Sequence, residues 1–193
     1  MARQRLPFHD VDNPLFGPDA NIYFRAKEGK FNFLYRVKED GTGRQKVISD
    51  PILSFVSISP DGEFVAVFGE FPAVQRPGED TSVGLVAYPT RGGTPVRICG
   101  WCSAKWTNDG RFFDITLSTT GVTKEWKTYM IALKAGHVLP DFPSSGVRSE
   151  SDLGALPVVQ KIATRGRAPS PNPYVCAFTR KSTHRNLYRI PLP

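Results

Sequence analysis

Cys99-Gly100-Trp101-Cys102 is the motif whose residue types and spacing most invite chemistry. Two thiols separated by two residues exchange disulfides when the first of them opens a helix, because the helix N-terminus stabilises its thiolate. Here the motif follows the strand-like run PVRIC and precedes SAKWTNDG, so no helix is expected to supply that field. A structural disulfide or two buried thiols is the expected state. Cys176 is the third cysteine, so at most one internal disulfide forms and one thiol is left over. A zinc site would need a second C-x-x-C or a paired histidine nearby, and neither is present. His9, His137 and His184 lie far apart along the chain. None belongs to H-E-x-x-H, and no G-x-S-x-G elbow occurs. GTGRQK, from Gly41, lacks the spacing of a phosphate loop and reads as a turn between strands. Asp114 stands inside an apolar run, where it either lines a channel or, as preferred here, is a buried carboxylate satisfied by partners. Trp101, Trp106 and Trp126, with Phe112 and Phe113, suit a ligand face or an aromatic core, and core is preferred because each buries a large area. These residues compose no catalytic constellation, no metal set and no cofactor site.

The elements that must position them follow a repeat. An apolar residue, a small residue, Pro or Asn, an acid or amide and then a β-rich run recur four times. The copies are FGPDANIYFRA from Phe16, ISPDGEFVAVFG from Ile58, WTNDGRFFDITLS from Trp106 and PSPNPYVCAFTR from Pro169. Pro60 presets φ, Asp61 caps the next backbone groups, and Gly62 accepts a positive φ. Asn108-Asp109-Gly110 does the same without the proline. Ala20 and the Asn172-Pro173 pair replace the glycine in the other two copies, which predicts looser turns or another type there. The runs EFVAVFG, FFDIT and YVCAF read as strands apolar on both faces, as suits strands buried between packed sheets.

A second signature, an apolar residue six before a glycine, returns in LYRVKEDG, VAYPTRG and MIALKAG. Short runs follow it, RQKVI from Arg44 and PVRIC from Pro95, so each repeat reads as four antiparallel strands. Residues 134–157 read as a long loop, and Val158-Val159-Gln160-Lys161-Ile162 as the fourth strand of the third repeat. No segment has a helical period. The expected fold is all-β: three to four consecutive four-stranded antiparallel blades of a partial or small β-propeller, spanning 1–193. Its repeats run over about 16–50, 51–99, 100–163 and an incomplete 164–193, the first opening at Asn21 on its second strand.

Composition narrows the function classes. The chain has 193 residues, 40% of them hydrophobic, and its 17 glycines and 17 prolines fall in the spaced clusters that many turns require. No run approaches the roughly 18 apolar residues of a membrane helix, so no membrane insertion is expected. The start MARQRLPFHDVDNPLF lacks the apolar core of a secretory signal. Net charge is +7, and from Leu153 to Pro193 seven cations occur without an Asp or Glu. That basic stretch reads as a solvated face or a surface toward an acidic element, rather than a nucleic-acid site.

ISPDGEFVAVFG, WTNDGRFFDITL and NLYRIPLP resemble the WD-type propeller repeats of the TolB family, over about residues 16–133 and 169–193. They are also similar to the propellers of prolyl-oligopeptidase relatives. The ending HRNLYRIPLP resembles propeller regions appended to bacterial membrane-anchored serine/threonine kinases, which implies a periplasmic or extracytoplasmic sensor-like portion. The resemblance implies a non-catalytic module binding a protein or small-molecule partner at its face. The alternative is the sensor or gating portion of such a kinase or hydrolase. Three full repeats and a partial fourth leave apolar faces at both ends, so self-association or an upstream segment is expected to cover them.

Overall fold

The computed structural model describes residues 10–70, 83–118, 125–163, 168–169 and 175–177. Within them the chain forms strands β1 (Val11–Phe16), β2 (Asn21–Glu28), β3 (Phe31–Lys38) and β4 (Gln45–Lys46), which make a first antiparallel sheet in that order. A second is β5 (Ile52–Ile58), β6 (Phe64–Glu70), β7 (Val83–Pro89) and β8 (Val96–Cys99). A third is β9 (Cys102–Trp106), β10 (Phe112–Ser118), β11 (Trp126–Ala132) and β12 (Val158–Ile162). β13 (Ala168–Pro169) and β14 (Cys176–Ala177) pair as a two-stranded piece. Three sequential four-stranded meanders are the blades expected, and the one helical element among the described residues is a 3-10 turn at Glu150–Ala155. The expectation that the first repeat opens at Asn21 is corrected. Val11–Phe16 pairs with β2 as that sheet's own first strand, despite Pro14, because a register shift between Asp12 and Leu15 absorbs the irregular backbone.

The repeated turns carry one hydrogen-bond pattern. In the second repeat the Ser59 hydroxyl donates to Asp61 (2.6 Å), the amide of Glu63 donates to the same carboxylate oxygen (3.0 Å), and the Phe64 amide donates to Ser59 Oγ (2.9 Å). Thr107, Asp109, Arg111 and Phe112 reproduce each bond in the third. In the first repeat Gly17 takes the hydroxyl's position, and the Tyr23 phenol donates to Asp19 instead (3.0 Å). A Cβ on Gly17 would stand 2.5 Å from the Tyr23 ring, so the glycine makes room for the substitute donor. The first turn is of another type, as expected where Ala20 replaces the glycine: Phe16 pairs with Ile22 and the Gly17 amide donates to the Asn21 carbonyl, one residue shorter than the Ile58–Val65 and Trp106–Phe113 closures. Ala20 still holds φ at +57°, near the values of Gly62 (+74°) and Gly110 (+67°), fixed by the Asp19 and Asn21 bonds. The fourth turn lies outside the described residues.

Successive turns also touch. A Cβ on Gly62 would meet the Pro18 ring at 3.1 Å, and one on Gly110 would meet Pro60 at 3.6 Å. Gly62→Ala is therefore expected to destabilise by about 1–2 kcal/mol and Gly110→Ala by about 1 kcal/mol, both from the left-handed backbone and the first also from the tighter contact. Urea midpoints check the ordering.

Asp109 lies well below the ordinary carboxylate range, at about 2, held there first by the Thr107 hydroxyl and then by the Arg111 side chain and amide. A depressed folded-state value stabilises the protein above about pH 4, and that contribution is lost as pH falls toward 2. Asp109→Asn is expected to lower neutral-pH stability and to flatten the loss between pH 4 and 2. Matched acid titrations of the two proteins measure it.

Two cores hold the blades together. Val65, Val67, Val86 and Tyr88 of the second sheet pack with Tyr23, Leu34, Ile48, Ile52 and Phe55. The opposite face of the same sheet, with Ala66, Leu85 and Ala87, packs with Ala104, Trp106, Phe113, Ile115 and Ile131 of the third. Both faces of EFVAVFG are buried, as the pattern predicts. FFDIT differs. Phe113 and Ile115 face the second sheet, while Asp114 and Thr116 share the other face with Thr128 and Met130. These polar residues are buried; Thr116 and Thr128 bond hydroxyl to hydroxyl at 2.9 Å, which satisfies them within their own sheet. The first sheet's far face is not bare either: Phe24, Ala26, Tyr35 and Val37 are buried, with Arg44 over the Tyr35 ring (4.1 Å) and Lys46 over Phe33 (3.7 Å).

Residues 134–157 form the loop expected, and it is built into the structure. Val147 bridges to Cys99 and its amide donates to Ile98 (2.7 Å), while Leu153 and Leu156 enter the core. The strand read at 158–162 is β12, with the bounds expected.

Candidate interaction surface

Antiparallel meanders place the start of β3, the start of β5, the end of β6, the end of β8 and the start of β9 on one face of the molecule. The Asp-Gly turns lie on the other. The first face carries the exposed apolar side chains Phe31 (58% exposed), Leu53 (51%) and Trp101 (71%). Leu15 and Phe16, also exposed, sit apart from these at the opposite end of β1.

Leu53 is exposed for a local reason. The β5–β6 register runs Ile52 to Gly69 and then Ser54 to Phe68, so Leu53 bulges out of the ladder. Its carbonyl accepts a hydrogen bond from Arg25, whose guanidinium also grips the Asp12 carboxylate (Nε to Oδ1 2.7 Å). That grip holds the Asp12 carboxyl below its ordinary range. Gly69 lets the strands close up here, since a Cβ on it would stand 3.3 Å from the Pro51 carbonyl. Beside the bulge opens a cleft of about 210 Å³, lined among the described residues by Lys30, Phe31, Asn32, Asp50, Pro51, Ile52, Leu53 and Glu70. The Tyr88 phenol donates to Asp50 at 3.1 Å, and burial, reinforced by that carboxylate, pushes the phenol up to about 12.

At the neighbouring corner Cys99 and Cys102 are joined by a disulfide, their Cα atoms 6.0 Å apart. Both are buried, between the end of β8 and the start of β9, with no helix at either. The bond clasps the second sheet to the third and presents Trp101, whose ring lies 5.9 Å from that of Phe68. A core role was expected for Trp101; the tight chain reversal between the two cysteines turns it out to solvent instead. Trp106 and Phe113 are core, edge to face at 5.2 Å, and Trp126 is half-buried. Thiol counting on denatured protein from an oxidising compartment is expected to give one free thiol, and three after reduction. Reduction should also cost about 2 kcal/mol of stability on chain-entropy grounds.

The remaining sequence candidates do not converge on this face. Asp114 is buried and partnered in the third sheet, opposite Lys105 in register. His137 lies in the loop after β11, its amide bonded to the Lys134 carbonyl. His9 and His184 lie outside the described residues, as does the Cys176 side chain. GTGRQK spans the β3–β4 connection and, in Gln45-Lys46, β4 itself; Asp40 before it accepts bonds from the Thr42 amide (2.9 Å) and hydroxyl (2.7 Å). Sequence reasoning missed the cleft. Its lining comes from two sheets, and the bulge that exposes Leu53 leaves no residue signature.

No family model matches the sequence, and no curated protein does. Among solved structures the chain is similar to TolB from Acinetobacter baumannii, with 15% identity and a TM-score of 0.55. The match covers 90% of this chain and 39% of that one. At this identity the likeness shows the fold: an all-β, propeller-like arrangement of antiparallel sheets that spans about two fifths of its neighbour's length.

Proposed function

We propose that the chain is a non-catalytic propeller module that docks a protein partner on the face where β3, β5 and β9 begin. One observation carries this reading: Phe31 and Leu53, which line one cleft, and Trp101 at the neighbouring corner are each exposed at that end of the sheets. Exposed aromatic and apolar anchors of this size on a rigid scaffold are what protein interfaces use as hot spots. The cleft beside them, at about 210 Å³, is smaller than the roughly 300–1,000 Å³ of small-ligand sites, which favours a protein over a free metabolite. The finer reading, a sensor portion of a membrane-anchored serine/threonine kinase, draws its support from the HRNLYRIPLP ending. Kinase motifs in the coding sequence directly upstream are the expected finding, and their lack there removes it.

A photo-crosslinking amino acid at Leu53 or Trp101, expressed in the native host, tests the docking face. Discrete adducts are expected from those positions and not from Asp40 or Arg91 in the turns of the opposite face. Phe31→Ala should weaken them. Equal labelling from both faces, or labelling from the control positions alone, overturns the reading.

A further inference from the structure

We propose that the cleft between the first and second sheets receives a lysine or arginine side chain of the partner polypeptide, a refinement that rests on the docking reading above. The lining has two parts. Phe31, Leu53, Ile52 and Pro51 supply apolar wall, on which the methylene stem of a long basic side chain packs. Among the described residues of the lining, Asp50 and Glu70 supply two carboxylates against the one ammonium of Lys30, an excess of one negative charge. Asp50 is oriented by the Tyr88 phenol, and Glu70, the last residue of β6, enters no ion pair among the described residues.

The shape is built rather than incidental. Arg25, itself held by Asp12, binds the carbonyl of the bulged Leu53 and so keeps that side chain at the rim. Gly69 brings Pro51 and Ile52 tight against β6 to form the floor. The volume accommodates a side chain rather than a whole ligand, and Phe31 and Leu53 project beyond it for the flanking residues of the same segment. A cationic head between two carboxylates gains charge-assisted hydrogen bonds, while an acidic head finds, among the described residues of the lining, Lys30 alone.

Amide-resolved NMR titration of the full chain with defined probes tests this. Ac-Leu-Arg-Leu-NH2 is compared with Ac-Leu-Gln-Leu-NH2, Ac-Leu-Glu-Leu-NH2 and free agmatine. Shifts are expected at Phe31, Leu53 and Glu70, with the arginine peptide binding about tenfold tighter than the glutamine peptide and losing affinity as salt rises. Glu70→Gln should remove most of that preference without affecting the glutamine peptide, and Lys30→Gln should enhance it. Both residues are exposed, and unchanged thermal unfolding of each variant accompanies the comparison. Equal or stronger binding of the glutamate peptide overturns the cation assignment while leaving a docking face intact. Agmatine binding as tightly as the peptide overturns the polypeptide assignment. No shift in this cleft with any probe overturns the cleft itself, and the crosslinking at Trp101 still reports independently on the docking face.

Discussion

Phe113→Ala should cost about 3–5 kcal/mol, more than any change in the turns, and should move the urea midpoint without changing its slope. Phe113 is fully buried on β10 and is gripped from two sides. The Trp106 ring meets it edge to face at 5.2 Å, and Phe142 from the long loop meets it at 5.6 Å and 68°. Trp106 in turn donates its indole N–H to the Val138 carbonyl at 2.6 Å, so the loop is bonded to one ring and packed on the other. Truncation opens a cavity where the second and third sheets and the loop meet, and none of these can close it alone. A cycle with Phe142→Ala should show a coupling of about 0.5–1.5 kcal/mol, the range of aromatic pairs. A loss below about 1 kcal/mol would mean that the loop does not pack here.

Gly84→Ala should destabilise by about 2–3 kcal/mol despite adding a single methyl group. The added carbon would stand 2.7 Å from the Cys99 carbonyl oxygen. That oxygen cannot retreat. Cys99 pairs with Leu85 across a register shift, bridges to Val147 on its other side, and is closed to Cys102. Gly100, one residue beyond Cys99, has open space where its Cβ would be, so Gly100→Ala is the matched control and should change stability by no more than about 0.5 kcal/mol. Equal effects at the two positions would remove the steric account.

The repeat was legible because its turns are made of local chemistry. Asp61 and Asp109 bond groups within two residues of themselves, and that is readable from Ser-Pro-Asp-Gly and Thr-Asn-Asp-Gly alone. β12 was legible as a β-branched run bounded by Pro157. What escaped depends on partners distant in sequence. β1 contains Pro14, has Asn13 at positive φ and follows Asp10, also at positive φ, so only its pairing to β2 makes it a strand. Asp114 and Thr116 look like interruptions of an apolar run until register sets them on one face with Thr128. Period-two counting through ILSFVSI puts Leu53 inward with Phe55. The bulge breaks that count, buries Ile52 and Phe55, and leaves Leu53 outside. The candidate site was therefore the least readable part, since it exists where regular pairing fails.

The contact of Pro18 with Gly62, and of Pro60 with Gly110, gives the array a grammar. Each joint sets a ring of one turn against the bare glycine backbone of the next, so the units join head to tail and in one order. The second unit, 51–99, has both halves of that joint, whereas the third has Gly110 to accept a ring but Asn108 where the next ring would be offered. An engineer lengthening the array would copy the second unit and place the copy before the third, where Pro60 of the copy meets Gly110 and its Gly62 meets the original Pro60. A copy of the third unit inserted at the same place would keep the joint from Pro60 to its own Gly110 but leave the next joint, from its Asn108 to the original Gly110, without a ring.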